Sequence, residues 1–246
     1  MALLIPARSA FVPPRVLLPR HAIVPSHPLI PGLVAWWQGS HPSFGTFTWY
    51  DLVGDHNFAL INMAIGKPSG GGIEGSGWFT TARVGGQSEL RFDASNDYGT
   101  TPNVGDIKLV NVFTMAFAIY VTIGAGCILS KFSNGAGSGG VDLRGVRMQA
   151  NSLFVTEQST NPLSASISQF LNTWLHVVIV SHPTGSVLYF NGIAVATGAQ
   201  FTQWFNNDGP VRLGNAEAAF FGSGAVPFGG AIDAIMFWRN RGLTAQ

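Results

Sequence analysis

The sequence predicts an all-β protein, a two-sheet antiparallel sandwich preceded by an extended, proline-rich N-terminal arm. Three observations carry that expectation. From Gly32 onward, Gly, Asn, Asp or Pro interrupts the chain about every 8 to 15 residues, with runs of β-formers between. Several runs alternate: in Phe113-Thr114-Met115-Ala116-Phe117-Ala118-Ile119-Tyr120-Val121 the large odd-numbered residues share one face. No stretch sustains a helical period of apolar residues.

Residues 1–32 form the first segment. Seven of the 14 prolines fall here: Pro6, Pro13, Pro14, Pro19, Pro25, Pro28 and Pro31. Each fixes φ, removes a backbone donor and pushes its predecessor toward extended geometry, so neither a helix nor a central strand can form. Apolar groups sit between them, among them Leu4, Ile5, Phe11, Val12, Leu17, Leu18, Ile23, Val24, Leu29 and Ile30. The only charged side chains are Arg8, Arg15 and Arg20. A flexible linker would be polar, so these apolar residues are expected to bind a partner, either the chain's own domain or neighbouring subunits. Thirty-two extended residues reach on the order of 100 Å, which favours neighbours.

The domain, residues 33–246, contains the expected strands. They are Leu33–Trp37, Phe58–Ile61, Glu89–Phe92, Val112–Val121, Cys127–Lys131, Leu153–Thr156, Trp174–Ser181, Ser186–Phe190, Val195–Thr197, Val211–Gly214 and Gly230–Trp238. The Asn191-Gly192 pair suits a type I′ turn joining Ser186–Phe190 to Ile193–Thr197.

Charged residues are 10% of the chain, the net charge is +1, and 31 residues are glycine. Such a balance gives no general attraction to nucleic acid or to an anionic membrane. The single cysteine, Cys127, excludes a disulfide framework and a cysteine zinc site. No apolar run approaches the roughly 20 residues of a membrane span. The Met1–Pro6 start lacks a basic n-region, so no signal peptide is expected.

Leu33-Val34-Ala35-Trp36-Trp37, Tyr50-Asp51-Leu52-Val53-Gly54 and Leu90-Arg91-Phe92-Asp93-Ala94-Ser95-Asn96-Asp97-Tyr98 follow one another in a familiar order. Ile128-Leu129-Ser130-Lys131, Thr173-Trp174-Leu175-His176-Val177-Val178, Leu188-Tyr189-Phe190-Asn191-Gly192 and Gly230-Ala231-Ile232-Asp233-Ala234-Ile235 continue it. The ordered set resembles laminin-G-like domains of the concanavalin A-like lectin/glucanase superfamily, and the resemblance implies their jelly roll. That family includes sugar binders, adhesion modules and virion proteins, so fold alone does not choose among them. Ser26-His27-Pro28-Leu29 leading into Gly32-Leu33-Val34 is similar to the starts of laminin-G-like proteins of tailed phages.

Chemistry is sparse. Glycosidases of this fold carry two glutamates close together on one strand, whereas Glu74, Glu89, Glu157 and Glu217 lie far apart. No enzyme is expected. His176, on a strand beside Trp174, reads as packing, His182 as a turn residue, and His56 lies in a turn with Asp55. Many relatives hold Ca²⁺, which takes six to eight oxygens; the resemblance makes Asp93, Asp97 and Asp233 candidate ligands, although each also has an ordinary structural reading. For glycan, the best stretch is Trp204 with Asn206, Asn207 and Asp208, although the core reading of Trp204, at a strand end, is the preferred one. The leading expectation is a virion structural protein, a decoration or tail-associated subunit, binding other virion subunits or itself through its arm. The alternative is a free-standing glycan-binding or adhesion module, extracellular or on a cell surface.

Overall fold

The computed structural model describes residues 29–38, 46–63, 76–80, 88–103, 107–131, 144–157, 160–205, 209–215 and 227–243. Among these residues sixteen strands pair antiparallel into two eight-stranded sheets, the sandwich that alternation predicts. The first sheet contains β1 (Leu33–Gln38), β4 (Gly77–Thr80), β5 (Ser88–Asp93), β7 (Phe113–Val121), β12 (Trp174–His182), β13 (Gly185–Phe190), β14 (Ile193–Gly198) and β16 (Gly229–Arg239). Its order is β14-β13-β12-β7-β16-β5-β4. β16 is long enough to pair with β7 along one side and with β5 and then β1 along the other. The second sheet contains β2 (Thr48–Trp49), β3 (Phe58–Ile61), β6 (Tyr98–Asn103), β8 (Gly126–Lys131), β9 (Arg144–Gln149), β10 (Ser152–Glu157), β11 (Thr160–Ser166) and β15 (Pro210–Leu213). Its order is β11-β10-β9-β8-β15-β6-β3-β2. Among the described residues the only helical piece is the 3-10 turn Ser168–Phe170, and no helix is long and apolar enough to cross a membrane.

Strand periodicity explains the core. Phe113, Met115, Phe117 and Ile119 of β7 face inward with Leu175, Val177 and Ile179 of β12, and all are buried. Leu129, Val146, Met148, Leu153, Val155, Val211 and Leu213 meet them from the second sheet. A bulge at Asp233 lets β16 change parity, so Ile232, Ile235 and Phe237 all reach that core. The expected type I′ turn is present: Asn191 and Gly192 both have positive φ, 49° and 83°.

The first and last described residues are both held against the first sheet. Pro31-Gly32 forms the centre of a tight turn closed by the Leu33 amide on the Ile30 carbonyl at 3.0 Å, with Gly32 at φ 80°. This is a type II turn, which pairs Pro at its second position with a left-handed Gly at its third. A Cβ on Gly32 would come within 2.8 Å of the Arg239 carbonyl oxygen. The last described residues, 241–243, cross the outside of the first sheet, where the Thr114 hydroxyl donates to the Arg241 carbonyl and accepts from the Leu243 amide, both at 2.9 Å.

Candidate functional site

The register puts an arginine–aromatic face on the outside of the second sheet. On β9 and β10, Arg147 opposes Phe154 and Gln149 opposes Ser152, while Val146, Met148, Leu153 and Val155 point into the core. Residues opposite one another in an antiparallel pair share a face, so Arg147 and Phe154 lie on the outer face, with Thr156 buried beside them. The Arg147 guanidinium sits 5.0 Å from the Phe154 ring centre, and its Nε reaches Thr156 Oγ1 at 3.4 Å. Its Nη1 donates to Gln149 Oε1 at 2.7 Å. Two strands away on β15, Arg212 opposes Ser130 on one side and Thr100 on the other. Arg212 lies 5.4 Å from the Tyr98 ring centre.

Both guanidinium groups therefore lie over an aromatic ring, which helps to fix a long side chain. Strand spacing and the register along β8 set them about 14 Å apart. Beneath Arg147, burial pushes the Cys127 thiol up to about 12, so it stays protonated and chemically quiet at neutral pH. Burial also lowers the Arg147 guanidinium, and the nearby Cys127 opposes that shift. The sequence reading passed over this face. Its signal was the alternation Ser152-Leu153-Phe154-Val155-Thr156, which turns Phe154 out once Leu153 and Val155 turn in.

Trp204 is not an exposed platform. It is fully buried, stacked on Phe113 at 5.0 Å and on Phe205 at 4.4 Å, and its Nε1 donates to the Thr156 carbonyl at 3.0 Å. Glu157 holds this plug by accepting the amides of Thr202 and Gln203 at 3.1 and 2.7 Å, and Arg144 Nη1 donates to the Gln203 carbonyl. Asn206, Asn207 and Asp208 lie outside the described residues, as do Leu4, Ile5, Phe11, Val12, Leu17, Leu18, Ile23 and Val24 of the arm. Leu29 and Ile30 are described: Leu29 is exposed, and its carbonyl accepts the Trp238 indole N–H at 2.6 Å.

The acidic set proposed for calcium is only partly brought together. Asp93 and Asp97 meet across a turn in which Asp97 Oδ2 accepts the Asp93 amide at 2.9 Å. Asp97 Oδ1 is buried without a hydrogen-bond partner, and so is Asn215 Oδ1, two residues beyond the last Leu213–Gly99 pair. Those three residues could supply oxygens to a hard cation. Asp233 cannot join them: Gly229 pairs with Asp93, and Asp233 lies four residues further along β16, about 13 Å away. Among the described residues no three His, Cys, Asp or Glu side chains form a metal-binding group.

Two histidines differ from expectation. His176 is exposed rather than packed, because Leu175 and Val177 take the inward positions of β12. His56 is buried and its Nδ1 lies 2.6 Å from Asp51 Oδ2, while Asp51 Oδ1 accepts the amides of Trp36 and Val53. The pair clasps the loop after β2 to β1.

The laminin G model of the concanavalin A-like lectin/glucanases superfamily matches residues 93–246. No curated protein matches the chain by sequence. Among solved structures, domain 4 of a GH43 extracellular arabinanase from Geobacillus stearothermophilus, in complex with arabinotriose, is similar with a TM-score of 0.50 and 13% identity. That match covers 87% of this chain and 94% of the arabinanase domain. Trypanosoma rangeli sialidase in complex with sialic acid is similar with a TM-score of 0.54 and 13% identity, over 87% of this chain. The chain spans 31% of the sialidase. At these identities the likeness is one of fold.

Proposed function

Because the chain belongs to the concanavalin A-like lectin/glucanases superfamily, we propose that it is a non-catalytic glycan-binding module that holds an acidic oligosaccharide on the outside of its second sheet. The observation that carries this reading is the pair of ring-stacked arginines, Arg147 on Phe154 and Arg212 on Tyr98, on one sheet face. Hydrogen bonds between arginine and a carboxylate are among the strong ones, and a ring beside the guanidinium restricts the side chain that would make them. Thr100 and Gln149, on the same face, add a hydroxyl and an amide suited to sugar hydroxyls. The arabinanase domain bound to arabinotriose supports the reading at the level of fold, as an example of this architecture presenting an oligosaccharide.

The described carboxylates favour binding over catalysis because several already have structural partners. Glu89 pairs with Arg91 at 2.6 Å, Glu157 accepts backbone amides, and Asp51 clasps His56. Isothermal titration of the full chain with a galacturonate trisaccharide, sialyllactose and arabinotriose tests the reading. Acidic sugars should bind, and Arg147→Ala with Arg212→Ala should weaken them by about tenfold or more. Equal binding by the double variant sinks the proposal.

A second reading, a particle structural subunit with a partner-seeking arm, is favoured by the way the arm's root is held. Trp238 Nε1 and Arg241 Nη1 donate to the Leu29 and Pro31 carbonyls, at 2.6 and 2.9 Å. The arm therefore leaves from a fixed point. Light scattering on the full chain should give a mass above one 26.1 kDa chain; a monomer mass at all concentrations removes this reading.

A further inference from the structure

The second sheet sets its two arginines at the ends of one line across the strands. Arg212 on β15 opposes Ser130 on β8, Ser130 opposes Gly145 on β9, and Gly145 opposes Thr156 on β10. The Arg147 guanidinium joins the far end of this line, with Nε 3.4 Å from Thr156 Oγ1. Between the two arginines, Ser130 and Gly145 add neither charge nor a long side chain. A Cβ on Gly145 would collide with the Leu129 carbonyl oxygen, so that position stays bare.

The rings draw the two heads apart. Arg147 lies over Phe154 of β10 and Arg212 over Tyr98 of β6, strands on opposite sides of the line's middle. Neighbouring strands are about 4.8 Å apart, so the guanidinium groups stand about three strand spacings, roughly 14 Å, from each other. A carboxylate meets an arginine at about 2.8 Å. One carboxylate therefore cannot touch both, and a ligand that uses both carries at least two acids, spaced as the arginines are.

We propose that the site takes an internal run of a polyuronate, a chain in which every sugar bears a carboxylate, laid across β15, β8, β9 and β10. The proposal rests on the reading of this face as an acidic-glycan site and names the ligand that the spacing selects. A linked pyranose advances its chain by about one strand spacing, roughly 5 Å. Three spacings then match three sugars, so the carboxylates of the first and fourth residues meet the two arginines. The shortest ligand that fills the site is a tetrasaccharide.

The same spacing sorts the competitors. A glycan with one terminal acid, such as a sialylated one, engages one arginine and leaves the other without an anion. A uronate disaccharide does the same. Joining two such contacts through one short chain makes the second intramolecular, which multiplies affinity without any new kind of contact. Thr100, opposite Arg212, and Gln149, which accepts from Arg147 at 2.7 Å, sit at the two ends, placed for hydroxyls of the outermost sugars.

Isothermal titration of the full chain with the dimer, tetramer and hexamer of galacturonate, with sialyllactose and with a hexaglutamate peptide tests it. The tetramer should bind at least about tenfold tighter than the dimer, and the hexamer little tighter than the tetramer. Arg147→Ala and Arg212→Ala, each alone, should lower tetramer affinity about tenfold, to near that of the dimer, while dimer affinity changes less than about threefold. Dimer binding that survives each substitution shows that the variant is folded. Arg147→Lys, which keeps the charge and loses the planar fork, should fall between native and Arg147→Ala. Equal affinity for tetramer, dimer and sialyllactose, with one arginine alone sensitive, overturns the two-point span and leaves acidic-glycan binding standing. Hexaglutamate that binds as tightly as the galacturonate hexamer overturns the sugar and leaves only spaced charge. No binding by any acidic sugar removes the span together with the reading on which it rests.

Discussion

Trp204 shows how one side chain can close an end of the sandwich. Its ring lies nearly parallel to those of Phe113 and Phe205, at 12° and 15°, and its indole N–H is used by Thr156. Phe205, beside it, adopts φ 54°, a left-handed conformation that an aromatic residue accepts only when packing over-determines it. Trp204→Ala removes both stacks, leaves a cavity and strands the Thr156 carbonyl. The expected loss is about 3–5 kcal/mol, read as a fall in the urea midpoint at unchanged slope. An effect below about 1 kcal/mol would mean that Trp204 does not close the core. At this scale the sequence is ambiguous for a physical reason. A tryptophan beside Asn and Asp has the composition of a sugar platform and of a capped core alike, and only the partner rings, Phe113 on β7 and Phe205 beside it, distinguish them.

The strands were legible where alternation was strong and neighbours were apolar on one face. β7, β12, β13 and β16 read directly, because each buries a period-two row against the other sheet. Of those that escaped, three carry breakers inside them, Gly145 in β9, Pro102 in β6 and Pro162 in β11, while β2 and β4 are only two and four residues long. β11 sits at the edge of the second sheet, where a missing donor costs little, so its proline is tolerated there. The β9–β10 hairpin was hidden for a related reason. Its turn uses Ala150 and Asn151 at φ 48° and 58°, the geometry usually signalled by Asn-Gly. The candidate face was missed as a consequence, because Arg147 and Phe154 meet only when β9 and β10 pair. Whether a residue faces out can be read from one strand, but what stands beside it depends on register.

For the whole molecule, the buried turn at Asp93–Asp97 should set how stability depends on pH. Asp97 is 1% exposed, and burial, with the neighbouring Asp93 carboxyl adding to it, pushes its pKa from 3.8 up to about 7. Between those values the folded protein holds a proton that the unfolded chain has released. The contribution is therefore fully present below about pH 4 and is lost as pH rises through about 7, the reverse of an ordinary salt-bridged aspartate. Urea midpoints measured from pH 5 to pH 8 should fall as pH rises. Asp97→Asn keeps the neutral shape without the titration, so its slope over that range should be shallower. Calcium separates two uses of the same turn. If the Asp93, Asp97 and Asn215 oxygens hold a cation, millimolar calcium at pH 8 raises the midpoint and Asp97→Asn abolishes the rise. If calcium changes nothing while the native slope remains, the turn serves only to bury the Asp97 acid, and Asn215 Oδ1 is simply an oxygen left unpaired by the packing of β15 against β6. A native slope no steeper than that of Asp97→Asn would remove the buried acid from the account of stability.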